Sequence, residues 1–425
     1  MGRQLALRRA LSLFCAFLLI LGSGGTVFAN GIVFDRDYLP YTDDWDAYSY
    51  DEDYYSQLAG QGASINFYNW GEYISDGSDD LVDVISEFEA LTDIKVYYTN
   101  FATNEELYAK LKSGAASYDV IVPSEYMVSR MIKEDMLLPI DHDNIPNLQY
   151  MNPGFMDSLY DPGSTYSIPY AWNTVGLIYN TSMVEEEPTS WGILWDEAYA
   201  GNILMFNNSR DAFGITLKYL GYSLNTEDPE EMREAAELLK AQKPIVQAYV
   251  MDQMFDKMEN NEAAIATYYS GDALLIDNED IAIVIPEEGT NVFVDACCIP
   301  KGAKNKLGAE MFINFLNEPT ICAENIEYVG YGTANLAAYC LLSEELRNDP
   351  ILYPPQEVLD NSEMYINLSD EANLMLDQLW TEVKASNDNI LTWGILPCAT
   401  IAALVIGKRV IRKNREKRHR YMMED

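Results

Sequence analysis

The chain has 425 residues, of which 48% are hydrophobic and 12% aromatic; it is too long for one ordinary core and too apolar for a disordered polymer. Setting aside the 3 basic residues before residue 31, and the 8 basic and 3 acidic residues after residue 407, leaves 17 basic against 64 acidic residues, a formal charge of −47. Such a surface excludes nucleic acid and anionic lipid as natural partners and attracts cations.

Residues 1–29 read as a secretory signal, with Arg3, Arg8 and Arg9 ahead of a short apolar run (Ala10 to Leu21) and a cut after Ala29. Residues 30–63, including "DDWDAYSYDEDYYSQLAGQG", show no helical apolar period and read as an acidic, mostly unfolded spacer. The pattern then alternates. "INFYNW" predicts a strand, "DLVDVISEFEALTD" a helix, "KVYYTNF" a strand, and "TNEELYAKLKSG" a helix with Thr103 and Glu106 as its capping box and Gly114 as its stop. "YDVIVP" and "SEYMVSRMIKEDML" repeat the strand and helix. This rhythm predicts α/β units with a largely parallel sheet, in which ligands sit off the carboxyl ends of the strands. Trp70 to Tyr73 and Ser124 to Tyr126 fall at such ends.

"YSIPYAWNTVGLIYN" (166–180) is extended and predicts a crossing between two lobes, with "VFVDACCIP" (292–300) as a return crossing. Between them lies a second α/β segment, and "SDEANLMLDQLWTEVKAS" predicts a closing helix. The run from Ile390 to Gly407 carries no charge and reaches the length of a membrane span, with eight basic residues after it. It predicts a transmembrane anchor over 390–411 and a basic cytoplasmic tail over 412–425.

Catalytic signatures are missing. There is no GxSxG, no HExxH, no phosphate loop and no GxGxxG after a strand, so no enzyme is expected. Cys297, Cys298, Cys322 and Cys340 show no CxxC spacing, and His142 and His419 are the only histidines, which argues against zinc. A Cys322–Cys340 disulfide stays open beside the reading of buried free thiols.

"INFYNWGEYI", "SYDVIVPSEYMVSRMIKEDML", "YSIPYAWNTVGLIYN" and "GYGTANLAA", in this order, resemble the bacterial spermidine/putrescine-binding proteins that deliver polyamines to ABC importers. The likeness runs from about Ser64 to Asn387. It implies a type II periplasmic-binding fold: two α/β lobes joined by a hinge, here with a C-terminal transmembrane helix added. Carried over, lobe one is 64–174 plus 295–335, and lobe two is 175–294 plus 336–388.

A polyamine is a thin alkyl chain bearing ammonium groups. Each ammonium needs an anionic acceptor, and the methylenes need flat walls, which aromatic faces supply while attracting the cations by ~0.5–2 kcal/mol each. By the resemblance, Trp70 and Tyr73 are walls with Gly71 and Glu72 beside them, and Ser124 and Tyr126 line the same lobe. Asn208, Asp211 and Tyr269 line the other. Phe293 and Asp295 lie near the crossing, Tyr331 closes the box, and Tyr365 lines its end. The chain departs from the family pattern in detail. Asn208 replaces a second acid, Asp211 a longer glutamate, Tyr269 and Phe293 tryptophans, Tyr365 a polar amide, and Gly71 a hydroxyl residue.

The expectation is an extracellular or periplasmic substrate-binding component of a polyamine ABC importer, monomeric, without cofactor, metal or catalytic activity. Its expected partners are a polyamine (putrescine or spermidine), a permease with ATPase subunits, and the membrane through the C-terminal helix. The alternatives are a binding protein for another organic cation and a receptor or adhesin ectodomain.

Overall fold

A computed structural model describes residues 49–386, apart from 115 and 275. Its strands are β1 (Ser64–Trp70), β2 (Lys95–Phe101), β3 (Val120–Ile121), β4 (Leu137–Leu138), β5 (Ser167–Asn180), β6 (Ile203–Phe206), β7 (Val246–Val250), β8 (Ile265–Tyr269), β9 (Ile281–Val284) and β10 (Val292–Pro300). They run in the order β2-β1-β3-β10-β5-β8-β6-β7, with β4 beside β10 and β9 beside β5. The pairs β1–β2, β1–β3, β6–β7 and β6–β8 are parallel, as the strand–helix alternation predicts. β5 and β10 are antiparallel and carry the chain between the two halves.

Local chemistry accounts for the element ends. Thr103 Oγ1 accepts the Glu106 amide at 3.1 Å, and Glu106 reaches back to the Ala102 amide at 3.0 Å, so the helix Asn104–Ser113 starts on a satisfied turn. It stops at Gly114, whose φ of 65° is open to glycine without strain. β5 and β10 lie inside the sheet with both faces covered, so every one of their residues is buried. That is why the vicinal Cys297 and Cys298, on opposite faces, are both buried free thiols. Cys322 and Cys340 are free thiols too.

Two hydrophobic cores result. The first holds a ring cluster of Phe67, Phe88, Phe312 and Phe315. The second is built around Leu177, Phe206, Phe213, Leu239 and Ile265. The boundary falls within β5, where Trp172 belongs to the first core and Val175 to the second. Within 336–388, expected as a block in lobe two, Ala338, Tyr339, Leu342, Leu359 and Met364 pack on the first core, whereas Leu376, Leu379 and Val383 pack on the second. The chain therefore crosses a third time near 363–369, where the Glu363 carbonyl accepts the Val292 amide at 2.9 Å.

The end of the acidic stretch is not a spacer. Helix Glu52–Tyr55 folds against the first core. Tyr55 is fully buried, donates to Glu318 at 2.5 Å and accepts from Asn314 Nδ2 at 2.7 Å. The ring faces of Tyr50, Tyr54 and Tyr55 supply the apolar surface that a reading of composition discounts. The signal segment and the rest of the spacer lie outside the described residues.

The C-terminal membrane helix is corrected. Among the described residues no helix is long and apolar enough to cross a membrane. The last described helix, Asp370–Ala385, is amphipathic: Leu376, Leu379 and Val383 face the second core, and Asp370, Glu371, Asp377, Glu382 and Lys384 lie on its exposed side. The residues 390–411 and 412–425 expected as anchor and tail lie outside the described residues. The transmembrane description, the membrane as a partner and the single-pass localisation all rested on that helix, and nothing among the described residues supports them.

Candidate functional site

The carboxyl ends of the parallel strands in both halves open towards β5 and β10. β1 ends on Trp70 and continues through Gly71, Glu72 and Tyr73, and β3 is followed by Ser124 and Tyr126. From the other half, β6 is followed by Asn208 and Asp211, and β8 ends on Tyr269. β10 contributes Phe293 and Asp295 from between.

Asp295 is the best-held carboxylate. A register shift between Asp295 and Ala296 interrupts the β5–β10 ladder at this residue, the kind of irregularity that re-aims a side chain. Its two oxygens accept from Ser124 Oγ at 2.6 Å and from Tyr73 Oη at 2.8 Å. Ser124 is itself bonded to Asn104, which fixes its rotamer. Asp295 is nearly fully buried, and burial pushes its carboxyl up to about 6 against the two hydroxyl donors.

Asp211 mirrors it in the second lobe. It lies in the first turn of helix Ser209–Leu220, capped by Asn208, whose Oδ1 accepts the Arg210 amide at 2.9 Å. Asp211 Oδ2 accepts from Asn208 at 2.7 Å and Tyr269 at 3.1 Å, and Oδ1 accepts from Tyr365 at 3.1 Å. Burial again pushes this carboxyl up to about 6, opposed by the tyrosine hydroxyls and Arg210.

A row of rings joins these two ends. Tyr269 meets Phe293 at 5.3 Å, Phe293 meets Tyr331 at 5.6 Å, and Tyr331 meets Tyr73 at 5.3 Å, all edge to face. Each such pair contributes about 0.5–1.5 kcal/mol beyond its buried area, so the row is a stiff wall. Gly271 permits it: a Cβ there would lie 2.0 Å from Tyr331 Cδ1.

The other sequence candidates lie outside this row. Trp70 donates its indole N–H to the Val122 carbonyl at 2.8 Å and packs 4.6 Å from Phe101, both in the first lobe. Gly71 and Glu72 are exposed, and Glu72 accepts from Tyr328 at 3.4 Å. Tyr126 is half-buried and donates to Glu105 at 3.2 Å.

Sequence reasoning missed two acids. Asp272, three residues beyond Tyr269, is pushed up to about 7 by burial, with Tyr331 opposing the rise and Asp252 and Asp295 adding to it. Its position just past the end of β8 was the available signal. Glu125, beside Ser124, is fully buried; its Oε2 accepts the Val294 amide at 3.1 Å, and its Oε1 has no hydrogen-bond partner among the described residues. Burial pushes it up to about 8.

A row of rings where the two halves meet, ended by carboxylates that bond hydroxyls and amides, can hold a cation. Such a molecule is a two-lobe solute-binding protein. The family model of bacterial extracellular solute-binding proteins matches residues 83–354. The spermidine/putrescine-binding periplasmic protein of Escherichia coli is 36% identical over 331 residues, 77% of this chain and 93% of that one. Two solved structures align closely. The spermidine/putrescine ABC transporter substrate-binding protein PotD of Streptococcus pneumoniae has a TM-score of 0.70 at 37% identity, over 76% of this chain and 99% of that one. A putative spermidine/putrescine ABC transporter protein of Listeria monocytogenes has 0.71 at 38%, with the same coverage. The chain belongs to this family of solute-binding proteins, alongside its spermidine/putrescine-binding members, and the family is not one of enzymes.

Proposed function

We propose that this chain is the extracellular or periplasmic substrate-binding component of an ABC importer, and that it holds a polyamine between its lobes for delivery to a permease with ATPase subunits. One observation carries the reading. Asp295, on the shared strand β10, and Asp211, at the helix start after β6, bond the two ends of one continuous row of rings. A buried carboxylate in want of a counter-ion is met by an ammonium, and the methylenes between ammoniums are met by ring faces. The names of the similar proteins point to the same ligand class.

In this reading Tyr73, Tyr269, Phe293 and Tyr331 form the wall and Ser124 orients Asp295. Trp70 and Tyr126 close the first-lobe side, Asn208 and Tyr365 orient Asp211, and Gly71 and Glu72 form the rim. Closure of the lobes on the ligand is the state read by the permease.

Calorimetry with putrescine and spermidine at moderate salt tests this. Saturable binding at one amine per chain, lost in Asp295→Asn whose melting point is no lower than the wild type's, is expected. Weak heats that fade with salt and never saturate would mean that amines coat the acidic surface.

A further inference from the structure

One buried acid takes no part in the row of rings. Glu125 opens the helix Glu125–Lys133, directly after Ser124, and is fully buried. Residues 123–125 lie along β10 like a short extra strand. The Pro123 carbonyl accepts the Ala296 amide at 3.0 Å, Ser124 bridges to Asp295, and Glu125 Oε2 accepts the Val294 amide at 3.1 Å. The last bond differs in kind, because a side chain stands where a neighbouring strand would offer a carbonyl. On the other edge of β10, the Trp172 amide and carbonyl of β5 are both turned to Gly332. The strand that joins the lobes is thus held by a carboxyl at the residue before Asp295.

That carboxyl is short of partners. Among the described residues Oε1 has no hydrogen-bond partner. The charged and titratable groups around it are Asp295 from β10, Tyr126 from its own helix, Tyr160 from the turns ahead of β5, Arg210 from the start of helix Ser209–Leu220, and Tyr365 from the third crossing. Burial keeps the three tyrosines neutral, and the Arg210 guanidinium is committed to Asn225 at 2.8 Å and the Ile366 carbonyl at 3.1 Å. A buried carboxyl beside a second acid, with no counter-charge bonded to it, keeps its proton. Burial and the Asp295 charge push Glu125 up to about 8, against the Val294 and Tyr365 amides.

We propose that Glu125 is a positioning residue for amine binding, and that its proton is displaced when an ammonium settles on Asp295. This rests on the polyamine reading above. In the ligand-free chain the neutral carboxyl holds β10 without adding a second negative charge beside Asp295. An ammonium on Asp295 offsets the charge that opposes ionisation. The O–H bond of Glu125 then breaks, its electron pair stays on the carboxylate, and the proton goes to solvent. The carboxylate accepts the Val294 amide more strongly than the acid does, so β10 is gripped harder at the residue before Asp295. Glu125 does not touch the amine; it acts through Asp295 and the crossing strand.

Calorimetry of the full chain with putrescine at pH 8, run in two buffers of different ionisation enthalpy, counts the protons released. The wild type is expected to release about half a proton per amine bound. Glu125→Gln keeps an oxygen for the Val294 amide and has no proton to lose, so it should bind one amine per chain and release less than about a tenth of a proton. Between pH 7 and pH 8.5 the affinity of the wild type should rise about threefold more than that of Glu125→Gln. No release by the wild type, or equal release by the two, overturns the proposal. Should Glu125→Gln fail to fold, infrared difference spectra of the wild type decide: loss of a protonated-carboxyl band on amine binding at pH 8 is expected, and an unchanged band overturns it. Absence of saturable amine binding by the wild type sinks the polyamine reading itself, a result plainly different from binding without proton release.

Discussion

Asp295 and Asp211 are the same residue type, equally buried and pushed to the same range, yet their surroundings differ in kind. Asp295 rides on β10, which joins the lobes, and its two donors are first-lobe hydroxyls with no basic side chain bonded to it. Asp211 sits at a helix start with three side-chain donors and the Arg210 charge nearby. The helix start and the arginine already favour its ionised form. The lesson is that burial makes a carboxylate available for a cation, but the donors already around it decide how much it gains when the cation arrives.

That contrast can be broken first by substitution. Asp295→Asn is expected to weaken amine binding by about 100-fold, ~3 kcal/mol, because a hydrogen-bonded charge pair is truncated with nothing to replace it. Asp211→Asn should lose only about tenfold, ~1.4 kcal/mol, since Asn208, Tyr269 and Tyr365 already share its charge. Equal losses in calorimetry at pH 7.5 would remove the distinction. Gly271→Ala comes next. Its Cβ would stand 2.5 Å from the Gly330 carbonyl as well as against Tyr331, so the ring must swing from the wall. A stability loss of ~1–3 kcal/mol and a fall in affinity of about tenfold are expected from thermal melts and titration.

A pH series sharpens the same comparison, with opposite signs for folding and binding. Asp295, Asp211 and Asp272 have folded values of about 6, 6 and 7, raised above the ordinary carboxylate range by burial. Their contribution to stability is therefore fully present below the unfolded value and is lost as pH rises through 6 to 7. The ligand-free chain should melt higher at pH 5.5 than at pH 7.5. Amine affinity should instead rise several-fold from pH 5.5 to pH 7.5, because the cation needs the ionised acids. A melting point and an affinity that move together with pH would contradict this.

The smallest effect on binding is expected far from the cleft. Tyr55→Ala should destabilise the first lobe by ~3 kcal/mol and leave amine affinity unchanged once folded, since its partners Tyr50, Tyr54, Asn314, Phe315 and Glu318 take no part in the row of rings. A change in affinity at constant fold would tie the N-terminal segment to the cleft.

Much of the molecule was legible because short periods and chain ends carry local rules. β2 spans the residues that "KVYYTNF" predicts, and the helix after it starts and stops on the cap residues named from sequence. The approach of Asp211 to Tyr269 and Tyr365, and of Asp295 to Ser124 and Tyr73, joins residues far apart in the chain; only the resemblance could suggest it. Asp272 escaped because "SGDA" looks like any polar turn until Tyr331 folds over it. Tyr55 escaped because acidic neighbours hide an aromatic contact surface from a reading of composition.

The most direct test is a crystal structure of the chain grown with putrescine. The account predicts one ammonium on Asp295, the other on Asp211, and the methylenes along Phe293 and Tyr331. An amine bound elsewhere, or lying in the cleft without touching Asp295, would contradict it.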